Sequence, residues 1–358
     1  MDMHLDTQAL GSLYEMSRDA VICVKDELIV YANPAAQALF NRSPGEKASL
    51  CIPDHILAEP AERFIASAKI GDRRTDVAVV RLEELTIVTV MLRGEPDPFP
   101  AGDGVLKELG EELLNVRLAF DGVLSDQNPS GQHSVYADTL YQSYYRLKRL
   151  YNHLTLLHSG LRDHMGRALR MIDLDEVLSG LCASVAPMVR DRGVELQYQG
   201  PEGECYLPAD PTLMETMLLN LLTNSLLHTE KGVTIKVTLS VIGSRAVIAV
   251  DDPGSGIRPD KLSAVIAGFP EPELTDASAG AGLGIAVVRG IAELHGGTLF
   301  LGSNPGHGTR MRISLPMSAP DRRLCQPEVR YKVNGMDLIL TEMSVVLDKS
   351  IYTQKLFD

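Results

Sequence analysis

The chain has 358 residues, 45% of them hydrophobic and 23% charged, with 34 Lys+Arg against 47 Asp+Glu for a net charge of −13. That length calls for two or three domains, and the composition excludes a wholly disordered chain. The acidic balance, with no segregated basic patch, excludes general nucleic-acid binding. No apolar run approaches the ~18 residues of a membrane helix, and the opening MDMHLDTQAL lacks the parts of a signal peptide, so a cytoplasmic chain without a membrane span is expected. Five cysteines (Cys23, Cys51, Cys182, Cys205, Cys325) show no CxxC pair. Their odd number and scatter argue for buried or incidental thiols rather than a disulfide framework or a zinc site.

Residues 11–93 read as mixed and strand-rich. AVICV and LIVYA alternate around Asp26-Glu27, a hairpin turn; NPAAQALF is a short helix; DVAVVRL and LTIVTVML look like paired strands. EPDPFPAGDG, at 95–104, holds three prolines and two glycines and reads as a linker. The period then changes. Leu106, Leu109, Leu113, Val116, Phe120 and Val123 step by three and four, as do Leu140, Tyr144, Leu147, Tyr151 and Leu154. These are coiled-coil-like seams on two helices joined by SDQNPSGQHS, and pairing with a second hairpin into a four-helix bundle would cover both, so a homodimer is expected.

From Asp173 to Pro316 the pattern is α/β. Asp173 and Glu176 form a capping box for a helix to about Arg192. VELQYQ, ECYLPA, VTIKVTLSVI and RAVIAV are strand candidates, and Asp210 and Pro211 open a helix over 211–229. Another helix follows Gly284, and TLFLGS and TRMRISL are the last strands. The tail carries an Asn334-Gly335 hairpin signal and no chemistry of its own.

The helix METMLLNLLTNSLLHTEKG is almost entirely apolar, yet Asn220, Asn224 and His228 fall four apart and share one face. Buried amides are costly without partners; alone, the reading of satisfied core amides has an equal claim. Downstream, VIAVDDPGSGI places Asp252 at a strand end, followed by Gly254 and Gly256, where a backbone can approach a flat ligand. In SAGAGLGIAVVRGIAELHGG, Gly280, Gly282 and Gly284 open a helix whose free N–H groups suit phosphates. A lone glycine triplet is as often a tight turn. Gly306-His307-Gly308-Thr309 starts the last strand.

Four motifs in this order resemble the nucleotide-binding domain shared by histidine kinases, gyrases, ninety-kilodalton heat-shock chaperones and mismatch-repair ATPases. NLLTNSLLHT, DDPGSGI, GAGLGIAVV, ELHGG and NPGHGTRMRISLP resemble, more narrowly, the catalytic domain of sensor histidine kinases. DAVICVKDELIVYANPAAQALF is similar to the start of a PAS sensor domain, which commonly holds a small ligand or mediates dimer contacts. The resemblance implies an α+β multidomain chain: a PAS-like α/β domain (1–94), the linker (95–104), an antiparallel helical hairpin for dimerisation (105–172), an α/β two-layer sandwich binding ATP (173–317) and a tail (318–358).

It also implies roles. Asn220 and Asn224 would hold Mg2+ and the phosphates, with His228 closing the same face. Asp252 would accept the adenine amino group, with Gly254 and Gly256 letting the base approach. Gly280, Gly282, Leu283 and Gly284 would form the lid hinge and phosphate contacts, and Thr309 would lie near the adenine. Hydrolysing members of the wider superfamily carry a Glu where this chain has Asn220, which favours transfer to a side chain over hydrolysis.

The family's phosphoacceptor histidine, on the first bundle helix, maps onto KELGEELLNVRL. There Glu111 stands at the histidine's place, pointing away from the core, and Glu112 at the acid's. A carboxylate cannot form a phosphoramidate, so autophosphorylation is in doubt. His133, His153, His158 and His164 are weak substitutes. Leu227 replaces a usual Lys or Arg, and the lid carries only Arg258 and Lys261, so the phosphates would meet fewer cations.

The expected function is therefore two-component signalling by ATP-dependent phosphotransfer, with a separate response regulator as recipient. A degenerate nucleotide-binding scaffold that regulates a partner is the alternative. An energy-transducing ATPase clamp is disfavoured by Asn220 and by the absence of a transducer domain.

Overall fold

The computed structural model describes residues 14–15, 17, 19–71, 73–82, 85–91, 109, 111–116, 118–119, 132–158, 169–258, 261–262, 265, 282–303, 305–317 and 335–354. In the N-terminal part, β1 (Ala20–Lys25) and β2 (Leu28–Ala32) turn on Asp26 and Glu27, at φ 49° and 66°. A two-residue hairpin of right-handed twist requires such a left-handed pair.

Asn33 caps α1 (Pro34–Phe40) and is wholly buried. Its Oδ1 accepts from the Val21 and Ala36 N–H groups at 2.9 Å each, and its Nδ2 donates to the carbonyls of Asp19 at 2.9 Å and Tyr14 at 3.1 Å. One amide thus fixes helix, strand and preceding chain. A short turn of helix, α2 (Asp54–Leu57), precedes the antiparallel strands β3 (Arg63–Ile70), β4 (Arg73–Leu82) and β5 (Leu85–Met91).

Residues 109, 111–116, 118 and 119 are helical and lie beside the long α3 (Gln132–His158), joined by an ion pair of 2.9 Å from Arg146 to the buried Glu112. α3 begins inside the segment expected as loop. The linker and the rest of that loop lie outside the described residues, as does Cys325; the other four cysteines are free and buried.

The C-terminal part starts with β6 (Arg170–Asp173), which pairs β8 (Tyr206–Ala209) as a separate ribbon. Asp173 caps α4 (Leu174–Arg190), accepting from the Asp175 N–H at 3.0 Å. After β7 (Glu195–Gln199), Asp210 accepts from the Thr212 and Leu213 N–H groups and opens α5 (Pro211–Leu227). This helix ends two residues before the expected boundary. Next come β9 (Thr234–Ile242), β10 (Arg245–Asp252), α6 (Leu283–Leu294), β11 (Thr298–Ser303) and β12 (Thr309–Pro316). α4, α5 and α6 form a helical layer over one sheet face. Asn334 of the expected hairpin lies outside the described residues, and Gly335 instead starts the helix α7 (Gly335–Glu342), which α8 (Ile351–Gln354) follows. Ile339, Leu340, Met343, Val346 and Leu347, buried at helical spacing, override the turn dipeptide.

The strands form one sheet in the order β2-β1-β5-β4-β3-β11-β12-β10-β9-β7. The two parts meet edge to edge, with Ser67, Ala66 and Ile65 of β3 opposite Leu299, Phe300 and Leu301 of β11. Phe300 is buried in the N-terminal core against Phe64, ring centroids 5.7 Å apart. His55 Nε2 meets Thr298 Oγ1 at 2.8 Å, and Arg312 donates to Glu59.

The face of α3 that is buried carries Tyr145, Arg149, Leu150 and His153, whereas Tyr144 and Tyr151 of the apolar seam are exposed, as are Leu109, Leu113 and Leu118 beside it. Leu140, Leu147 and Leu154 of the same seam are partly buried, so the seam is only partly covered.

Candidate functional site

Alternation along β10 turns Ala246, Ile248, Val250 and Asp252 toward the helical layer. Asp252 therefore ends the strand with its carboxylate facing α5. Oδ2 accepts from Ser225 Oγ at 3.0 Å and Oδ1 from the Gly254 N–H at 3.0 Å. Burial pushes this carboxyl up, opposed by those two hydrogen bonds, a third from the Thr309 backbone, and His228 nearby. A buried, oriented carboxylate with lone pairs to spare is an acceptor for an amino group.

Two glycines allow this crowding. A Cβ at Gly254 would collide with the His228 carbonyl, and one at Gly308 (φ 82°) with the Asp252 carbonyl. Gly256 also has positive φ, 70°. Ser303 Oγ ties the surrounding loops together. It accepts from the Ile257 N–H at 2.7 Å, donates to the Gly308 carbonyl at 2.8 Å and sits 3.1 Å from Thr309 Oγ1. Asp252, Gly254, Gly256 and Thr309 thus lie together, and His228, which the sequence grouped with Asn220 and Asn224, lies with them. Ser225 and Ser303 were missed, although Ser225 lies inside the quoted motif beside Asn224.

One turn toward the N-terminus of α5 the setting changes. Asn220 is fully buried: Nδ2 donates to the Thr216 carbonyl and to Glu342 Oε2, both at 2.9 Å, and Oδ1 accepts from Arg149 Nη2 at 3.1 Å. Glu342 comes from the tail and His153 from α3, and His153 Nε2 meets Glu342 Oε2 at 2.7 Å. Burial alone would raise the Glu342 carboxyl, but His153, Arg149 and the Asn220 amide hold it below the usual carboxylate range.

Gly284 lies against this cluster, where a Cβ would stand 2.9 Å from Asn220 Oδ1. Gly282 caps α6 at φ 68°, and Leu283 packs on Leu150 of α3. Gly280 and most of the expected lid lie outside the described residues.

The amide oxygens decide how Mg2+ would fit. That of Asn220 already accepts from a guanidinium, an unsuitable neighbour for a second cation. Asn224 is partly exposed, and its buried Nδ2 has no hydrogen-bond partner among the described residues, so this amide has capacity for a metal-phosphate group. Among the described residues no cluster of three or more His, Cys, Asp or Glu could hold a metal.

Glu111, expected at the phosphoacceptor position, is half-buried, while Glu112 is committed to Arg146. A cleft of about 730 Å³ opens at the joint of the two sheet halves, lined in part by Arg63, Lys236, Asp251, His307 and Arg310. It touches Asp252 and Thr309 but not the asparagines.

Residues 209–319 match the family of histidine kinase-, DNA gyrase B- and HSP90-like ATPases. The sensor histidine kinase ZraS of Escherichia coli K12 is 32% identical over 151 residues, 42% of this chain and 32% of that protein. The sensor histidine kinase CusS of Escherichia coli O157:H7 is 33% identical over 149 residues, 41% and 30% respectively. The chain spans about a third of the length of these curated relatives. Among solved structures, the histidine kinase AdeS of Acinetobacter baumannii is 17% identical with a TM-score of 0.48, covering 59% of this chain and 98% of that one.

Proposed function

We propose that the chain, whose C-terminal ATPase-type domain matches those of sensor histidine kinases, is a member of that family and binds ATP with Mg2+ for phosphotransfer in a two-component pathway. The observation that carries this reading is the Asp252 carboxylate, held by Ser225 and the Gly254 N–H where two glycines open the backbone to a flat base. The adenine amino group donates to Asp252, and Asn224 faces the metal-bound phosphates. Bound Mg2+ supplies charge neutralisation on those phosphates. Asn220 in place of a general-base Glu disfavours attack by water.

The chain works as a homodimer in this reading. Its support is the outward apolar stripe of Leu113, Leu118, Tyr144 and Tyr151, which a second copy would cover. The N-terminal strand order β2-β1-β5-β4-β3 suits a PAS-like sensor, with a small ligand or a partner as its signal. A separate response regulator would receive the phosphate.

A second reading is favoured by Glu111 at the acceptor position: the chain binds nucleotide and acts as a conformational scaffold for a partner. Label transfer from γ-phosphate-labelled ATP with Mg2+, compared between the native chain and Glu111→His, separates the two. Acid-labile, alkali-stable label on the native chain supports phosphotransfer through another histidine. Label gained only by Glu111→His supports a working nucleotide site that has lost its acceptor. Asn224→Ala should abolish nucleotide binding under both readings, and unchanged binding would sink the site assignment.

A further inference from the structure

The cations missing from the lid and from position 227 have counterparts on α3. Gln142, Arg146, Arg149 and His153 are spaced by four, three and four, so they form one polar stripe. That stripe faces the tail. Gln142 Nε2 donates to the Leu347 carbonyl at 3.1 Å, and Arg146 Nε to the Ser344 carbonyl at 3.2 Å. Arg149 and His153 converge with Asn220 on Glu342, the nearest approach of Arg149 being 3.7 Å. Thr223 Oγ1 donates to the Glu342 carbonyl at 3.2 Å, and Tyr352 at the far end of the strap is fully buried beside Tyr145.

The Arg149 guanidinium, the His153 imidazole, an amide N–H and the start of the twelve-residue α6 meet here, and the buried Glu342 carboxylate answers them. Asn220 lies five residues along α5 from Ser225, which holds Asp252, so the cluster stands about 7.5 Å further along the helix. A nucleotide with its base at Asp252 would extend its phosphates in this direction, past Asn224.

We propose that Arg149, His153 and Asn220 form an anion site for the terminal phosphate of the nucleotide, and that the Glu342 carboxylate occupies it as a built-in competitor. The proposal rests on the nucleotide-binding reading. The tail is then a strap that nucleotide displaces, and release of Glu342 frees the Asn220 amide for the phosphates. Arg149 supplies positive charge that the family places elsewhere, and His153 adds a hydrogen-bonding group beside it.

The test uses the full chain, native and Glu342→Gln, titrated with Mg-ATP and Mg-ADP by calorimetry, together with hydrogen exchange of residues 335–347. Gln keeps the side-chain shape and removes the charge, so ATP should bind the variant about tenfold more tightly, as loss of a charge-assisted competitor implies. ADP, lacking the terminal phosphate, should gain less than the triphosphate. In the native chain, saturating ATP should raise exchange across 335–347, a measurement that needs no variant. If ATP binds both proteins equally and leaves tail exchange unchanged, Glu342 is a permanent clamp and the proposal is overturned while the nucleotide reading stands. If neither protein binds ATP or ADP at millimolar concentration while both melt cooperatively, the nucleotide reading itself fails, and the proposal with it.

Discussion

Acidification should loosen the joint between the two sheet halves through one imidazole. His55, next to the Ile56 that anchors α2 in the N-terminal core, meets Thr298 Oγ1 across the joint at 2.8 Å. Burial, with Arg245 nearby and Asp54 only partly opposing, pushes the ring down from 6.5 to about 4. The ring is therefore neutral in the folded joint and takes up a proton in the unfolded chain at 6.5. Its contribution is whole above pH 6.5 and is lost as pH falls from 6.5 toward 4. The gap corresponds to about 3 kcal/mol at 1.36 kcal/mol per pH unit. The ring is only partly shielded from water, and screening cuts this to about 2 kcal/mol. His55→Gln retains an amide for Thr298 and removes the titration, so thermal melts from pH 7 to 4.5 should fall less steeply for the variant than for the native chain. NMR of the imidazole C–H resonances supplies the direct check. A His55 ring titrating near 6.5, or identical acid sensitivity in the two proteins, would refute the reasoning.

Gly308→Ala should cost about 2 kcal/mol or more in chemical denaturation, because its Cβ would strike the Asp252 carbonyl at a φ of 82°. The same variant should lose nucleotide binding, since Asp252 cannot hold its place. Asn33→Ala removes an amide that joins α1, β1 and the preceding chain, and should destabilise the N-terminal part by about 2 kcal/mol, read from urea unfolding. Leu113→Glu together with Tyr144→Glu should convert a sedimenting dimer to monomer without altering the far-UV spectrum; a native chain that sediments as a concentration-independent monomer would defeat the dimer reading.

Local chemistry was legible wherever one or two residues decide the backbone. Asp26-Glu27 made its turn, Asn33 and Asp210 made their caps, and the alternation in RAVIAV carried Asp252 to the inner face. The dipeptide Asn334-Gly335 misled because the apolar positions that follow it recur at three and four, and their burial outweighs a turn preference. The joint of β3 with β11 left no mark in the sequence, since edge strands pair through backbone groups that every residue carries. The basic stripe on α3 could have been read: Arg149 and His153 stand four apart on a helix whose apolar seam was counted in detail. His153 was weighed only as an acceptor, beside three other histidines. Arg149 and His153 are buried, while Tyr144 and Tyr151 of the apolar seam are exposed and its leucines only partly buried.

That arrangement connects the parts of the molecule. A helix that buries Arg149 needs a counter-charge near it, and Glu342 of the tail supplies one, with His153 on the same carboxylate. The same helix leaves Tyr144 and Tyr151 exposed beside Leu113 and Leu118, so under the proposed reading one element would serve a second copy on one face and the nucleotide site on the other. The N-terminal part reaches that site by a different route, through β11. This strand follows α6 after a tight Gly296-Gly297 turn, where a Cβ on Gly297 would press on Leu315 and on the Ser314 carbonyl. α6 in turn places Gly284 against Asn220. Coupling along such a chain of rigid elements requires an arrangement with two states that both ends can bias. The docked and released tail would be two such states, and the contacts that distinguish them lie on α3, α5 and the start of α6.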